Sequence, residues 1–361
     1  MIKNRLVRKY KERIDLDSKD LDAWINLGEI YGDRSNNDES IRCYEHALEL
    51  DPYLQDIWNN LGLQHSKSGN RTKAIKCLEK ALNLEPEDAV VAFNLGCEHQ
   101  DEGNPDKALT YFKRCVELDP SYTDALNNIA LIHFDRKNHE KAIEIYERAI
   151  KINPDDALLL ENAAIVHYQK REFLKALSYY EKSIEVNPKN PQGWFKLGEI
   201  AFELRDYSEA ISCYEEAVGL NPFYLEAWNN LGLSHVKRGE YEESITCYEK
   251  ALRLKPKDAV FYDNLGFSYH ALKKYKKALE YYENAIELDP DFTSTLKKMG
   301  DIHYIKSEFR KAIKHYERVV ELEPDNGEFW GLLAHCYEHV KQGKKARKAS
   351  KRARKCEIRN S

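Results

Sequence analysis

Seven asparagines, Asn26, Asn60, Asn94, Asn128, Asn162, Asn230 and Asn264, stand at multiples of 34 residues from one another. A carboxamide carries both a donor and an acceptor, so a row of them can satisfy the peptide groups of another chain without dictating its side chains. In the same register, Lys196, Lys298 and Leu332 stand where the amide is missing. Six histidines, His65, His99, His133, His167, His235 and His303, form a second row on that interval. Such a row invites a metal reading, but rings one repeat apart are too distant to share an ion. The expected role is a half-buried ring hydrogen-bonded within its own hairpin. Four cysteines, Cys43, Cys77, Cys213 and Cys247, make a third row. Stacked copies place such positions about 10 Å apart, beyond disulfide reach, and half-buried thiols are expected.

Outside these rows nothing supplies a reaction centre. There is no phosphate loop, GxSxG, HExxH, CxxC pair or zinc-finger spacing, and no non-repeated segment long enough for a catalytic domain. No catalytic residue, metal site, cofactor or enzymatic activity is expected.

The rows exist because the whole chain repeats. Proline recurs at 52, 86, 120, 154, 188, 222, 256, 290 and 324, an unbroken interval of 34, and only Pro105 and Pro191 lie off that grid. The stretch WNNLGL at 58 to 63 returns unchanged at 228 to 233. With the first unit set at 21 to 54, ten units end at residue 360. Each has two halves with apolar residues at helical spacing, such as Trp58, Leu61 and His65 and then Ala74, Leu78 and Ala81, joined by a short polar turn. The eighth position is always small, with seven glycines that each cost a helix about 1 kcal/mol relative to alanine. The twentieth position, always Ala or Ser, is the expected partner across a close helix–helix seam, and the proline then stops the second helix.

A hairpin of this size cannot bury its own apolar stripe, so an all-α solenoid of tandem helical hairpins held by nearest-neighbour contacts is expected. Residues 1–20 read as a lone capping helix, a half repeat, because KYKERIDLDS aligns with CYEHALELDP. Residues 21–361 read as ten tandem units in one continuous solenoid, ending in a basic capping helix with Ala346, Ala349 and Ala353 on its inner side.

The pattern W-x2-L-G-x2-Y, then A-x3-F or Y, A and P on this period is similar to the tetratricopeptide repeat. Trp24, Leu27, Gly28, Tyr31, Tyr44, Ala47 and Pro52 match it in the first unit. Units four and five depart most, with Leu126 and Leu160 for tryptophan and Ala130 and Ala164 for glycine. The resemblance implies a right-handed α-solenoid superhelix whose sixth positions line a concave groove. There the row Asn26, Asn60, Asn94, Asn128, Asn162, Lys196, Asn230, Asn264 and Lys298 resembles the asparagine ladder of the O-linked N-acetylglucosamine transferase repeat domains. In those domains, the resemblance implies, the amides clamp the backbone of an extended partner; the transferases' separate catalytic domain has no counterpart in this sequence. The expected function is therefore a protein–protein interaction scaffold that binds an extended or helical segment of a partner. Two alternatives stand beside it: the asparagines bridge neighbouring first helices, or duplication multiplied them without use.

Charge narrows the partner. Asp22, Asp56, Asp124 and Glu226 at the second position, with Glu29, Asp101, Asp135, Glu161, Glu199, Glu203, Asp263 and Asp301 further along, are expected on the groove side. Such a trough would attract a basic segment and repel nucleic acid, although acids at the second position equally suit the positive end of a helix dipole. No unit has Lys there, unlike the family's chaperone-binding carboxylate clamp. The two ends are basic. Residues 1–13 hold six Lys or Arg and residues 341–361 hold ten, leaving 40 basic against 59 acidic residues between them. The tail KKARKASKRARK suits anionic membrane, RNA or the acidic face of another copy, the last giving self-association. An adaptor for RNA or membrane through the basic termini is thus the alternative function. No apolar stretch has the length of a membrane span or the core of a signal peptide, and a cytoplasmic location is expected.

Overall fold

The computed structural model describes the backbone of residues 2–360 and the side chains of residues 4–356. Among the described residues every regular element is a helix, 21 in all. They form two compact units, Met1–Val186 and Asn187–Ser361. The first holds α1 (Ile2–Leu16), α2 (Leu21–Gly32), α3 (Asn37–Leu50), α4 (Gln55–Lys67), α5 (Arg71–Leu84), α6 (Ala89–Asp101), α7 (Pro105–Leu118), α8 (Thr123–Asp135), α9 (His139–Ile152), α10 (Ala157–Gln169) and α11 (Phe173–Val186). The second holds α12 (Pro191–Glu203), α13 (Tyr207–Leu220), α14 (Leu225–Arg238), α15 (Tyr241–Leu254), α16 (Ala259–Ala271), α17 (Tyr275–Leu288), α18 (Thr293–Ile305), α19 (Phe309–Leu322), α20 (Gly327–His339) and α21 (Gly343–Asn360). Each unit is an α-solenoid of helical hairpins, with even-numbered helices first in their hairpin and odd-numbered helices second.

Every hairpin turns through one left-handed residue. It is Gly69, Gly103 or Gly239 in three hairpins and Ser35, Lys137, Arg171, Arg205, Lys273, Ser307 or Lys341 in the others. The next N–H returns to the carbonyl five residues back, as Asn70 N does to His65 O at 2.8 Å, and this closes the first helix.

The twentieth position does meet the glycine seam, where a Cβ added to Gly62 would lie 3.2 Å from Ala74 O, but a second residue fills most of it. A Cβ added to Gly28 would lie 2.7 Å from the Tyr44 ring, and one added to Gly198 would lie 2.7 Å from the Tyr214 ring. The side chain at the twenty-fourth position, four residues beyond the small one, therefore covers the glycine, a ring everywhere except at Gly62, where it is Leu78. The small position contributes a bond, with Ser40 Oγ donating to Gly28 O at 2.7 Å. Tyr146, Tyr214, Tyr248, Tyr282 and Tyr316, all at this register, are among the most completely buried side chains. Burying such a ring contributes about 2–3 kcal/mol, which offsets the glycine's cost of about 1 kcal/mol.

Where the fourth position is tryptophan, in five of the ten hairpins, its indole pins the first helix to the turn before it. The Nε1 of Trp24 donates to Ser18 O at 3.0 Å, and those of Trp58, Trp194, Trp228 and Trp330 donate to the carbonyls of Pro52, Pro188, Pro222 and Pro324 at 2.9 Å. Where Ala92 or Leu126 replaces the indole, an arginine from the following second helix takes its place. Arg114 reaches Pro86 O at 3.4 Å and Arg148 reaches Pro120 O at 3.2 Å.

At the amino end α1 lays Val7, Tyr10 and Ile14 over Leu27, Tyr31 and Cys43. At the carboxyl end α21 buries Ala346, Ala349 and Ala353. The side chains of residues 1–3 and 357–361, the extremes of the two basic termini, lie outside the described residues. Among the described residues no helix is long and apolar enough to cross a membrane. No disulfide links the cysteines there, and Cys43, Cys77, Cys213 and Cys247 are fully buried rather than half-buried. The helix-packing face of α3, α5, α13 and α15 simply includes that position. Burial pushes the thiols of Cys43 and Cys247 up to about 12 and keeps them neutral.

Candidate binding face of the first helices

The sixth-position side chains are all partly buried, and they fall into two classes. In the first unit Asn94 Nδ2 donates to Asn59 Oδ1 at 2.9 Å, and Asn162 Nδ2 donates to Asn127 Oδ1 at 2.8 Å. The acceptor in each pair is the fifth residue of the preceding first helix. The second unit repeats the arrangement, with Asn264 donating to Asn229 at 3.4 Å and Lys298 Nζ to Asp263 Oδ2 at 2.6 Å. These members bridge neighbouring first helices.

The bridge needs a polar fifth residue in the preceding helix. Ile25 precedes Asn60 in that sense, and Phe93 precedes Asn128. Among the described residues neither of those two carboxamides makes a hydrogen bond within the chain. Asn230 follows Phe195, and among the described residues its oxygen accepts only from adjacent Asn229, at 3.2 Å. Asn26 is occupied by donating to Asp22 O at 2.7 Å and accepting from the Tyr10 hydroxyl of α1 at 3.3 Å. Lys196 turns to Glu199 on its own helix at 2.7 Å.

The acids of this face divide likewise. Asp22, Asp56, Asp124 and Glu226 are exposed in first turns. Asp263 is not a groove acid. It is only 6% exposed and accepts from Thr295 Oγ1 at 2.7 Å as well as from Lys298, so helix packing uses its charge. Asp301 accepts from the Tyr316 hydroxyl at 2.6 Å, and Asp101 lies 3.3 Å from Arg71.

Three residues escaped the sequence reading. At the second position, where five other units carry an acid, Val90, Leu158 and Val260 are 48%, 58% and 51% exposed. Their helices begin with Asp88, Asp156 and Asp258 as N-caps that accept backbone N–H bonds. The acid that favours the helix's positive end has moved to the cap, which leaves the second position open to an apolar side chain. The signal was visible as DAV at 88–90 and 258–260 and DAL at 156–158.

The histidine row serves the hairpins. The Nδ1 of His167, His235 and His303 hydrogen-bonds to Glu172, Glu240 and Glu308 at 2.7, 2.8 and 2.8 Å, and His99 pairs with Glu102 at 3.1 Å. The bond from His167, with those from Lys170 and Lys175, holds the Glu172 carboxyl down to about 2. His65 and His133 have Asn70 and Asn138 where that glutamate would stand, and burial lowers both imidazoles below the usual histidine range. Among the described residues no three His, Cys, Asp or Glu side chains gather as metal ligands would.

The repeated hairpins match known repeat families. Tetratricopeptide repeat models match residues 21–54, 53–121 and 305–356. A longer family model, described as the cilia and flagella-associated protein 70 C-terminal domain, matches residues 99–323. The chain is a tetratricopeptide repeat protein of that family. No curated protein sequence matches this repeat protein. Solved structures similar to it include YrrB, described as a tetratricopeptide repeat protein with an unusual peptide-binding site. YrrB is 23% identical, with a TM-score of 0.48 over 51% of this chain and 95% of that one. Another is PilF of Pseudomonas aeruginosa, 21% identical, with a TM-score of 0.49 over 61% of this chain and 96% of that one. A third is MamA, 22% identical, with a TM-score of 0.45 over 47% of this chain and 92% of that one.

Proposed function

We propose that this chain is a cytoplasmic, non-catalytic scaffold of ten repeats that binds an extended segment of a partner protein along its first helices. The observation that carries the reading is the unbonded state of Asn60 and Asn128 beside bridged Asn94 and Asn162. Bridged amides brace the stack. Unbonded, partly buried amides keep a donor and an acceptor for a peptide unit, and a partner that satisfies them recovers hydrogen bonds worth about 0.5–1.5 kcal/mol each. Exposed Val90 and Leu158 supply apolar contact between and beyond these amides, and Asp56 and Asp124 favour a basic segment. First helices two repeats apart are separated by about 20 Å, so a strand-like partner spans the two amides with about six residues.

The test compares proteins co-purifying with the wild-type chain, with Asn60→Ala/Asn128→Ala and with Asn94→Ala/Asn162→Ala. The first pair should lose the partner at unchanged melting temperature, and the second should lower the melting temperature. Full partner recovery by Asn60→Ala/Asn128→Ala would sink the reading.

A second reading rests on α21, where Lys344, Arg347, Lys348, Lys351, Arg354 and Lys355 are exposed and form no ion pair among the described residues. Under it the chain is an adaptor for RNA or anionic membrane. Lys348→Glu/Lys351→Glu/Arg354→Glu would then abolish retention on RNA or on phosphatidylserine vesicles, whereas the groove reading leaves partner recovery untouched by those changes.

A further inference from the structure

Of the twelve histidines, only His335 and His339 stand one helical turn apart. They open and close the stretch HCYEH in α20, and both are exposed. Side chains four residues apart share a helix face, so the two imidazoles are neighbours on the surface. The repeat does not call for them. In the nine other hairpins the same two places hold other residues, such as Leu63 and Lys67, Ile165 and Gln169 or Asp301 and Ile305, and never histidine.

The two rings lie 4.7 Å apart between centroids, with 60° between their planes. An ion held about 2.1 Å from one nitrogen of each ring sits about 3.2 Å from each centroid, so rings that share it at right-angled to tetrahedral geometry stand about 4.5–5.2 Å apart. The observed separation falls inside that span. An imidazole lone pair lies in the ring plane, so the tilt lets one from each ring converge on a single ion. His303 and His315 make the contrast. Their rings are 7° from parallel at 5.5 Å, with Nδ1 of His303 bonded to Glu308, and stacked planes do not aim at one point.

Both rings are also held in place. His335 Nδ1 is hydrogen-bonded to the Tyr304 hydroxyl at 2.8 Å, which leaves Nε2 for a ligand. An outer partner of this kind is what orients a ligating imidazole. His339 stacks on Phe309 at 4.1 Å and, among the described residues, makes no hydrogen bond. No third His, Cys, Asp or Glu among those residues joins them as a ligand.

We propose that His335 and His339 chelate one divalent transition-metal ion, with water in its remaining positions. Two imidazoles without a carboxylate suit copper(II), nickel(II) and zinc(II), whereas magnesium and calcium take oxygen ligands. The pair lies in the second compact unit and Asn60 and Asn128 in the first, so the site does not depend on the groove reading.

Calorimetric titration of the full chain with nickel, copper and calcium chlorides tests it. The wild type should bind nickel, should bind copper more tightly, and should give no signal with calcium. His335→Ala or His339→Ala should weaken nickel binding about tenfold or more, since losing a ligand costs at least what losing an outer partner does. His46→Ala removes an exposed histidine that has no other one turn away, and it should bind nickel as the wild type does. Asn60→Ala/Asn128→Ala should do the same, which separates this site from the groove. Should the alanine variants unfold, nuclear magnetic resonance of the wild type takes their place, and copper below one equivalent should broaden the signals around His335 and His339 first. No nickel binding, calcium bound as tightly as nickel, undiminished nickel affinity in both alanine variants, or broadening that begins elsewhere overturns the proposal.

Discussion

An asparagine's role at the sixth position is decided by a residue 35 places earlier. Asn59 and Asn127 capture the amides of Asn94 and Asn162, whereas Ile25 and Phe93 have nothing to offer Asn60 and Asn128. Replacing Asn59 with alanine should therefore leave Asn94 unbridged and cost about 1 kcal/mol, read as a lower urea midpoint at unchanged slope. The reverse change, Ile25→Asn, should capture Asn60 and reduce partner recovery to the level of Asn60→Ala. The amide row was legible because residue type repeats. Its division was not, since it depends on which neighbour the fold brings alongside. His315 makes a second residue-level prediction. Burial, with His303 and Lys314 nearby, lowers its imidazole to about 4. The unfolded chain therefore takes up this proton first as acidity rises, and stability falls as pH drops from about 6.5 towards 4. His315→Phe should flatten the dependence of melting temperature on pH across that window.

At the scale of the helix and its turn, period and proline made the hairpins readable, because a helical stripe cut by a fixed stop admits few other solutions. The turn's backbone was less readable. Three glycines advertise a left-handed residue, but Lys137, Arg171, Arg205, Lys273 and the rest adopt the same conformation without announcing it. A side chain held left-handed costs roughly 1–2 kcal/mol, and part of that returns with glycine. Arg205→Gly should accordingly stabilise the second unit by about 0.5–1 kcal/mol in chemical denaturation. The tryptophan stop is the counterpart. Trp228→Phe keeps the ring but orphans the Pro222 carbonyl, and a loss of about 1 kcal/mol is expected in the same assay. Residue spacing does not reveal this bond, because the carbonyl that the indole serves lies in the preceding turn.

For the whole chain, stability accumulates from one interface to the next rather than from a single centre. Damage should therefore stay local. Tyr282 is fully buried against the Gly266 backbone, and Tyr282→Ala should cost about 3–5 kcal/mol where it acts. Hydrogen exchange followed by mass spectrometry should show lost protection in α16, α17 and α18 with α4 to α7 unchanged. Uniform loss along the chain would mean that the two units melt as one block. Repetition made the architecture legible at this scale.

The five indoles bonded to the turn ahead of their helices bring one more consequence. Each sits at a joint and is held by a single bond that breaks when the joint opens, so the molecule carries built-in optical reporters of its own flexing. Keeping Trp58 or Trp228 and replacing the other four with phenylalanine would give a chain whose emission wavelength registers the loosening of one chosen joint, with no dye attached.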